Sequence, residues 1–491
     1  MSISFDRIPV DLRTPGQFIE FDSSKALGGL AVAQHKILVI GQRLDTGTVA
    51  ELVPTLVTSA EAAETAFGRG SMLSLMVRAL RQVNPWTETW AIALDDADAA
   101  QAAAGSIAFG GTGIQAGTVN LYIAGERVRV GVTAAQTPAQ VATATATAIN
   151  ALTDLPVTAE VNGDTDTQVD ITARNAGLAG NAIDVRFNYY QGEALPGGLT
   201  ATVTGMTGGT ANPDLADAID VVADTGYHSW IVPYADQSNL DALAEDLDRR
   251  WGPTVQLDAH AYVAASDSLA NLSTLGAAQN SEHVSLIGAS KSPTSPWAWA
   301  AAFGGVCAYY GSIDPARPMQ TLPLAGVLAP AQADRFDRAE REVLLHDGIA
   351  TWVVGDDGTV RIERAITTYQ TNAGGAPDTA YLDLNTKLTL AALRYSLRQR
   401  IATRYPRHKL ASDGAAIAPG QAIVTPKILR AELIALAREW EAAGLAENID
   451  AFKEALIVER SSTDPNRVDA LVPPDVINQF RVFAASIQFR L

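Results

Sequence analysis

Residues 481–491 read RVFAASIQFRL, and their side chains alternate between apolar and polar. This period-two pattern is typical of a half-buried β-strand, and its apolar side holds Phe483, Ala485, Ile487, Phe489 and Leu491. A Pro473-Pro474 break precedes the segment. A strand this apolar must join a sheet edge, in its own subunit or in another, because an unpaired edge invites association. If the edge belongs to another subunit, the protein is a component of an assembly.

The amino-terminal residues 1–29 predict a second extended arm rather than a domain. Their apolar residues are scattered among prolines, glycines and charges, which is enough to dock but too little to fold alone. Pro15-Gly16 predicts a turn, and the following residues 17–21 predict a short strand. The apolar residues of that strand are Phe18, Ile19 and Phe21. Both ends of the chain therefore resemble detachable strands.

Length and composition describe a folded protein of several domains. At 491 residues the chain exceeds what one hydrophobic core supports, so two to four domains are expected. Hydrophobic residues make up 47% and charged residues 18%, as in globular proteins. The net charge of −18 argues against nucleic acid as a partner, since phosphate binding needs a cationic surface.

The single cysteine, Cys307, excludes an internal disulfide framework and any multi-thiolate metal site. The amino terminus lacks a signal-peptide pattern, and no apolar run reaches the ~18 residues of a membrane span. We therefore expect no membrane insertion and a cytoplasm-like compartment. The six histidines show no metal-ligand spacing, and no catalytic-triad or phosphate-loop motif occurs, so no cofactor is expected.

The order of predicted elements gives a mixed α/β plus β fold class. Buried strands alternate with helices on both sides of a Gly- and Thr-rich stretch that lacks lysine and contains mostly strand patterns. The predicted domains are an arm (1–29), a discontinuous α/β core (30–104 and 212–330), an inserted β-rich domain (105–211), an α+β carboxy-terminal domain (331–472) and a strand arm (473–491).

A repeated Asp-Thr-Gly, at Asp45–Gly47 and Asp224–Gly226, suggests an alternative function. Two-lobed aspartic proteases pair two such tripeptides so that two carboxylates share one proton. The surroundings fit poorly, because Arg43 precedes the first site closely and Tyr227 follows the second glycine. Turn residues are the ordinary explanation of both tripeptides.

A basic cluster stands out in this acidic chain: Arg394, Arg398, Arg400, Arg404, Arg407, His408 and Lys409. Arg394 and Arg398 are one helical turn apart, opposite a leucine stripe, and so project from one surface. The cluster is either a solvated helix face or a cationic contact for an acidic protein partner.

Several long blocks resemble the contractile-tail sheath proteins of Mu-like myophages. They are TPGQFIEFD (14–22), KILVIGQRL (36–44), GMTGGTANPDLADAID (205–220), YLDLNTKLTLAALRYSLRQRIATRYPRHKLA (381–411), GQAIVTPKILRAELIALAREWEAAGL (420–445) and DPNRVDALVPPDVINQFRVFAASIQFRL (464–491). The similarity spans the chain and is most specific over 360–491. The order and length of the blocks carry it, rather than any single motif.

The resemblance implies a sheath subunit with a subtilisin-like core domain that lacks a catalytic triad. It implies a homo-oligomer of six-fold rings stacked helically around a tail tube protein, with baseplate and tail-terminator proteins as further partners. It also implies arms that add strands to the carboxy-terminal domains of neighbouring subunits, in a virion tail assembled in the host cytoplasm. We expect the basic cluster to face the tube. The alternatives are an aspartic protease and a non-contractile shell or tube protein.

Overall fold

The computed structural model describes residues 30–416, 418 and 420–490, together with residues 14, 16, 17 and 19. The chain forms two compact units. The larger comprises Gln34–Ala391 and Asn478–Leu491, and the smaller comprises Met1–Ala33 and Ala392–Ile477. Across the described ranges, no helix is both long and apolar enough to cross a membrane.

The larger unit begins with a β-α-β arrangement, as the sequence predicts. Its elements are β1 (Lys36–Gln42), β2 (Thr55–Leu56), α1 (Ala60–Phe67), α2 (Met72–Val83) and β3 (Glu88–Leu94). The hydroxyls of Ser59 and Ser71 accept hydrogen bonds from backbone amides in the first turns of α1 and α2. Gly68, with a φ of 89°, ends α1, because few other residues adopt that conformation without strain.

The next segment forms two separate antiparallel sheets. Its elements are β4 (Ala104–Gly111), β5 (Gly117–Ile123), β6 (Glu126–Val132), α3 (Pro138–Ala151), β7 (Val157–Val161), β8 (Gln168–Ala173), a 3-10 helix (Leu178–Ala182), β9 (Val185–Phe187) and β10 (Leu199–Thr207). The sheet orders are β10-β4-β8-β7 and β6-β5-β9. Helix α3 starts where the sequence predicts, at Thr137 with Pro138 following. The sequence pattern does not predict β4 and β10, because glycines and threonines obscure their alternation.

The chain then returns to the first sheet through a series of alternating strands and helices. These are α4 (Ala216–Val221), β11 (Ser229–Ile231), α5 (Gln237–Trp251), β12 (His260–Ala265), α6 (Leu269–Ala277), β13 (Val284–Gly288), α7 (Pro296–Ile313), a 3-10 helix (Gln332–Asp334), α8 (Arg338–His346), β14 (Ile349–Val354) and β15 (Val360–Arg364). The sequence pattern predicts a helix over residues 331–345. The observed helix α8 begins later, at Arg338, because the side chain of Asp337 caps its first turn.

One eight-stranded sheet, in the order β15-β14-β13-β12-β11-β1-β3-β2, organises the larger unit. Its six central strands are parallel, and the edge strands β2 and β15 are antiparallel to their neighbours. The strands up to Leu94 and those from Ser229 to Arg364 thus share one sheet, while β4 to β10, which lie between them in sequence, form two other sheets.

The β14–β15 hairpin differs from the sequence prediction in its location. The prediction places it in the 331–472 domain, whereas in the structure β14 pairs in parallel with β13, with Leu286 opposite Ile349. The indole of Trp352 reinforces this edge by donating to the carbonyl of Gly288 at 2.6 Å. Local sequence shows a hairpin but not the sheet to which it is added. The domain boundaries remain a prediction.

Helix α7 lies in the core of the larger unit. It is apolar on all sides, which is typical of a helix that is covered all round. Gly304 allows it to lie close to the sheet, since an added Cβ would lie 2.9 Å from Ile231 Cγ1. Gly305 allows close packing on α2, because its Cβ would lie 2.6 Å from Leu80 Cδ1.

The smaller unit is mainly helical, with three two-stranded sheets. Its elements are the end of α9 (Leu384–Arg404), which starts in the larger unit, then β16 (Lys409–Leu410), β17 (Ile423–Val424), α10 (Pro426–Ala442), β18 (Ala446–Glu447), α11 (Ile449–Ala455), β19 (Ile457–Arg460), β20 (Val468–Leu471) and β21 (Asp475–Val476). Helix α10 begins as predicted, with the Thr425 hydroxyl accepting from Ile428 N–H and Pro426 at the first position. Its buried face includes Leu433, Leu436 and Trp440.

Candidate assembly surfaces

The carboxy-terminal arm, residues 478–490, is apolar and exposed. Its backbone is part of no strand among the described residues. Phe483 is 80% exposed, Ile487 89% and Phe489 80%, and these three side chains share the predicted apolar side. A contiguous run of large apolar side chains this exposed is a common feature of interaction surfaces, and the role of these residues in inter-subunit contacts stays a prediction. Leu491, the last member of the predicted strand, lies outside the described residues.

An ion pair fixes the start of this arm. The guanidinium of Arg481 lies 3.0 Å from Asp383 Oδ1 and donates to Asn385 Oδ1 at 3.1 Å. Arg364 binds the same carboxylate, with Nη2 at 3.0 Å from Asp383 Oδ2. The arm therefore begins from a polar anchor on the larger unit, and its apolar residues follow immediately.

The amino-terminal arm is only partly described. Ile19 is 82% exposed. Phe18 and Phe21, the other apolar residues assigned to the predicted strand, lie outside the described residues. Their role in inter-subunit contacts stays a prediction.

The β19–β20 hairpin offers sheet edges that a further strand could join. Its register places Ile457 directly opposite Leu471, and these side chains are 51% and 59% exposed. Within the described part of the chain, the hairpin forms a sheet of two strands. Helix α10 packs against β19 and supports the hairpin, whose sheet edges remain available to a further strand. The apolar pattern does not predict β20, although the turn residues Asp464-Pro465-Asn466 between the two strands signal a hairpin.

The basic cluster divides into paired and solvent-facing groups. Arg400 and Arg404 bind Glu432 of α10, at 3.2 and 2.9 Å, and Arg400 also pairs with Glu439. The side chain of Arg400 is only 10% exposed, so its charge is largely used within the smaller unit.

The other basic residues lie closer to solvent. Arg398, Arg407 and Lys409 are exposed, and Arg394 is half-buried. The Arg398 guanidinium lies 5.8 Å from the ring centroid of Tyr395, and Lys409 Nζ donates to Gln421 Oε1 at 2.9 Å. His408 is exposed as well, and Arg404 is 52% exposed although it pairs with Glu432, so the cluster keeps several solvent-facing cations.

The two Asp-Thr-Gly sequences do not form a protease site. Asp45 follows the carboxyl end of β1, whereas Asp224 precedes the amino end of β11. Because β1 and β11 are adjacent and parallel, the two aspartates lie at opposite ends of the sheet. The length of β1 alone separates those ends by about 20 Å. Both aspartates are exposed turn residues, and the aspartic-protease alternative is wrong.

Within the described ranges, one group of side chains could approach a cation: Asp248, Glu282 and His283. His283 Nε2 lies 3.6 Å from a carboxylate oxygen of each acid, which is ion-pair geometry. The ammonium of Lys387, which lies 3.1 Å above the Trp251 ring, adds positive charge to this region. Trp251 is itself 6.0 Å from the His283 ring. The nearby ammonium disfavours a metal ion.

Two family models match this chain, and the second includes the carboxy-terminal arm, the β19–β20 hairpin and the basic cluster. The model of the phage tail sheath protein central domain matches residues 208–368, and that of the phage tail sheath C-terminal domain matches residues 376–490. A curated relative matches over the full length of both chains. The chain belongs to the phage tail sheath family.

That relative is the Mu-like prophage FluMu tail sheath protein of Haemophilus influenzae. It is 43% identical over 491 residues, which cover 100% of each chain. The resemblance to Mu-like sheath proteins seen in the sequence is thereby confirmed. A tail sheath protein is a structural component of the phage particle, and the chain is not an enzyme.

Two solved structures show a distant similarity to this chain. The sheath tail protein of Desulfitobacterium hafniense is 12% identical, with a TM-score of 0.48 over 94% of this chain and 100% of that one. A chain of the anti-feeding prophage baseplate is 11% identical, with a TM-score of 0.49 over 98% and 100%.

Proposed function

We propose that this chain polymerises as six-fold rings stacked around a tail tube, and that contraction of this sheath drives the tube through the host envelope to deliver the genome. The observation that carries the proposal is the exposed arm, whose apolar residues Phe483, Ile487 and Phe489 pair with no strand in the described chain. A component that is incomplete alone is expected to be completed by its neighbours.

The β19–β20 hairpin is the acceptor that best fits this arm. It exposes apolar Ile457 and Leu471 beside sheet edges that are available to a further strand. An arm from one subunit that pairs with the hairpin of another makes a head-to-tail contact, which generates rings or open helices. The acceptor of the amino-terminal arm is proposed to lie in the same carboxy-terminal region of a neighbour.

The energetics require several arms to act together. Burial of Phe483, Ile487 and Phe489 contributes at most about 2 kcal/mol for each side chain. Ordering the backbone of about ten residues costs about 1–2 kcal/mol for each residue, and each new hydrogen bond returns about 1 kcal/mol of this. The remaining cost is similar to the free energy gained by burying the three side chains. A single arm is thus close to neutral. Arms held at high effective concentration in a ring would make the mesh stable.

The inner surface is proposed to carry the basic cluster, facing an acidic tail tube. Exposed Arg398, Arg407 and Lys409 support this assignment, whereas Arg400 and Arg404 are mainly structural. Baseplate and tail-terminator proteins are the expected partners at the two ends of the sheath. Assembly in the host cytoplasm agrees with the single buried cysteine.

Electron microscopy of the purified full-length protein tests the proposal. The test variant carries Phe483→Ser, Ile487→Ser and Phe489→Ser on the apolar side. The matched control carries Gln488→Ser and Arg490→Ser on the polar side of the same arm. We expect sleeves or rings from the native chain and the control, and dispersed subunits from the test variant. Equal assembly by all three proteins would contradict strand donation by this arm.

A non-contractile shell with the same strand exchange is distinguished by sleeve length. Contractile sleeves are expected to exist in two lengths, and acid, urea or contact with envelope fragments should convert the long form to the short one. A sleeve of constant length under all three treatments would favour the shell.

A further inference from the structure

Four of the six histidines lie side by side at one edge of the eight-stranded sheet. His35 precedes β1, His228 precedes β11, His260 begins β12 and His283 precedes β13. These four strands are neighbours in the order β13-β12-β11-β1, and all run in the same direction. The four residues, called the histidine row below, therefore line the amino-terminal edge of the central strands. Sequence spacing gives no sign of this arrangement.

The histidine row takes part in the hydrogen bonds that join the neighbouring strands at this edge of the sheet. His228 Nδ1 accepts a hydrogen bond from the Lys36 backbone N–H at 3.2 Å, and the His228 N–H donates to the Lys36 carbonyl at 2.8 Å. His260 N–H in turn donates to the His228 carbonyl at 3.0 Å. An imidazole nitrogen thus completes the backbone pairing of β1 with the start of β11.

The bond from Lys36 requires His228 to be unprotonated at Nδ1. A protonated imidazole carries hydrogen on both nitrogens and accepts no hydrogen bond. Protonation of His228 would therefore replace an acceptor with a donor facing the Lys36 N–H. The His35 ring is stacked on His228, with centroids 4.8 Å apart, so a second proton there would add charge repulsion.

His260 has the same requirement for a different reason. The Ser285 hydroxyl donates to the Ile366 carbonyl at 2.7 Å, so its oxygen accepts from His260 Nε2–H at 2.8 Å. His260 Nδ1 then holds the lone pair, and it is buried without a hydrogen-bond partner among the described residues. A proton at Nδ1 would place a charged, unpaired donor in the core.

Charged groups of both signs lie around the row: lysines near His228 and His260 disfavour protonation of those two rings, whereas the carboxylates beside His283 favour protonation there. Lys36 lies beside His228, although Glu88 pairs with its ammonium at 3.2 Å. Lys387 acts on His260 from α9, and Asp248 and Glu282 flank His283. Tyr227 and Tyr262, which also face this edge, are neutral in acid because burial raises the pKa of each.

The acid–base properties agree with the geometry. Burial and the neighbouring His228 lower the pKa of His35 to about 3, and burial and Lys36 lower that of His228 to about 4. Burial lowers the pKa of His260 further below its ordinary value. All three rings are therefore neutral near pH 7.

We propose that the histidine row is an acid-sensitive joint, which holds β1, β11 and β12 together while its rings are neutral and releases this edge when they are protonated. The sign follows from linkage. The unfolded chain binds protons at His35 and His228 near pH 6.5, whereas the folded chain binds them only near pH 4 and below. Stability is therefore lost as the pH falls from about 6.5 towards 4. The proposal concerns the subunit and holds whether or not the arms assemble as proposed.

An acid titration of the full-length protein tests the joint. Asparagine places its oxygen near the position of Nδ1 and does not titrate, so His228→Asn keeps the acceptor for Lys36 N–H. His35→Gln keeps a polar group near Ser229, whose hydroxyl lies 3.0 Å from His35 Nε2. The matched control is His346→Gln, because His346 is 79% exposed at the end of α8. Near-ultraviolet circular dichroism follows the packing around Trp90 and Trp230.

We expect the double variant His35→Gln/His228→Asn to unfold at a pH lower by about half a unit or more, because two sites of proton uptake are lost. The His346→Gln control should unfold at the same pH as the native chain. Equal acid midpoints for all three proteins would overturn the proposal.

Direct measurement in the native chain covers the case in which the double variant does not fold. Hydrogen–deuterium exchange at the imidazole C2 position, read by mass spectrometry, gives a titration curve for each histidine. His35, His228 and His260 should titrate well below the ordinary histidine value of about 6.5. If these three titrate near 6.5 like an ordinary histidine, the row is not an acid-sensitive joint.

Discussion

The guanidinium of Arg481 lies 3.0 Å from the carboxylate of Asp383, and the apolar arm begins directly after this contact. Asp383 also binds Arg364, so two arginines share one acid. If Arg481 is replaced, Asp383 is still paired with Arg364. If Asp383 is replaced, the half-buried guanidinium groups of Arg364 and Arg481 both lose their carboxylate partner. We therefore expect Arg481→Ala to lower the free energy of unfolding by about 1 kcal/mol and Asp383→Ala by about 3 kcal/mol. Urea unfolding of the two variants measures the difference, and equal losses would contradict the shared pairing.

Substitution in the proposed acceptor hairpin should block assembly without harming the subunit. Leu471→Lys adds a charge to a side chain that is 59% exposed, so the fold should change by no more than about 0.5 kcal/mol. The new charge would have to be buried under an incoming arm, which is unfavourable. Sedimentation should therefore show dispersed subunits, with a melting temperature near that of the native protein. Val343→Lys is the matched control, since Val343 is 46% exposed on α8, away from the hairpin in sequence. Sleeves formed normally by Leu471→Lys would exclude this edge as the acceptor.

The exposed basic residues are expected to affect tube binding but not stability. Arg398→Glu/Arg407→Glu reverses two exposed charges, which should weaken co-sedimentation with tail tubes, most strongly at low salt. Lys427→Glu provides the control, because it reverses an exposed charge in the first turn of α10, outside the cluster. If the double variant binds tubes as the control does, the cluster does not face the tube.

Glu432 is expected to be the structural centre of the paired part of the cluster. It is 9% exposed, and it accepts from Arg400, Arg404 and the Tyr405 hydroxyl. Glu432→Ala would leave Arg400 with less compensation in a buried position and should cost about 3 kcal/mol. Glu454→Ala, at an exposed position, should cost about 0.5 kcal/mol or less. Thermal unfolding followed by circular dichroism compares the two, and similar values would show that Glu432 is not buried in solution.

Gly304 tests the close packing of α7 on the sheet. An alanine methyl would lie 2.9 Å from Ile231 Cγ1 and 3.0 Å from Tyr262 Cβ, which forces the helix or the strands to move. Overpacking of this kind costs about 1–3 kcal/mol, so Gly304→Ala should lower the melting temperature. Gly131→Ala is the control, because nothing lies within 4 Å of its added methyl group. An unchanged melting temperature for Gly304→Ala would mean that α7 lies further from the sheet.

Local pattern was enough for most of the elements. Ser59, Thr137 and Thr425 each accept a hydrogen bond in the first turn of a helix, as their position before an apolar stripe predicts. The apolar run of β1 likewise predicts a strand buried in a parallel sheet. The apolar pattern did not predict β4 and β10, because glycine and threonine give these strands little alternation between apolar and polar side chains. Helix α4 is shorter than the apolar pattern of its segment predicts.

The sequence by itself determined most of the elements, the apolar character of the carboxy-terminal arm and the family, because these depend on residue order along the chain. Only the tertiary structure decided that Asp45 and Asp224 lie at opposite ends of the sheet and that Arg400 faces Glu432. It also brought His35, His228 and His260 to one edge. The physical reason is that parallel strands connected by long crossovers place residues far apart in sequence side by side. Which residues meet is set by strand order and register, and local sequence spacing contains neither.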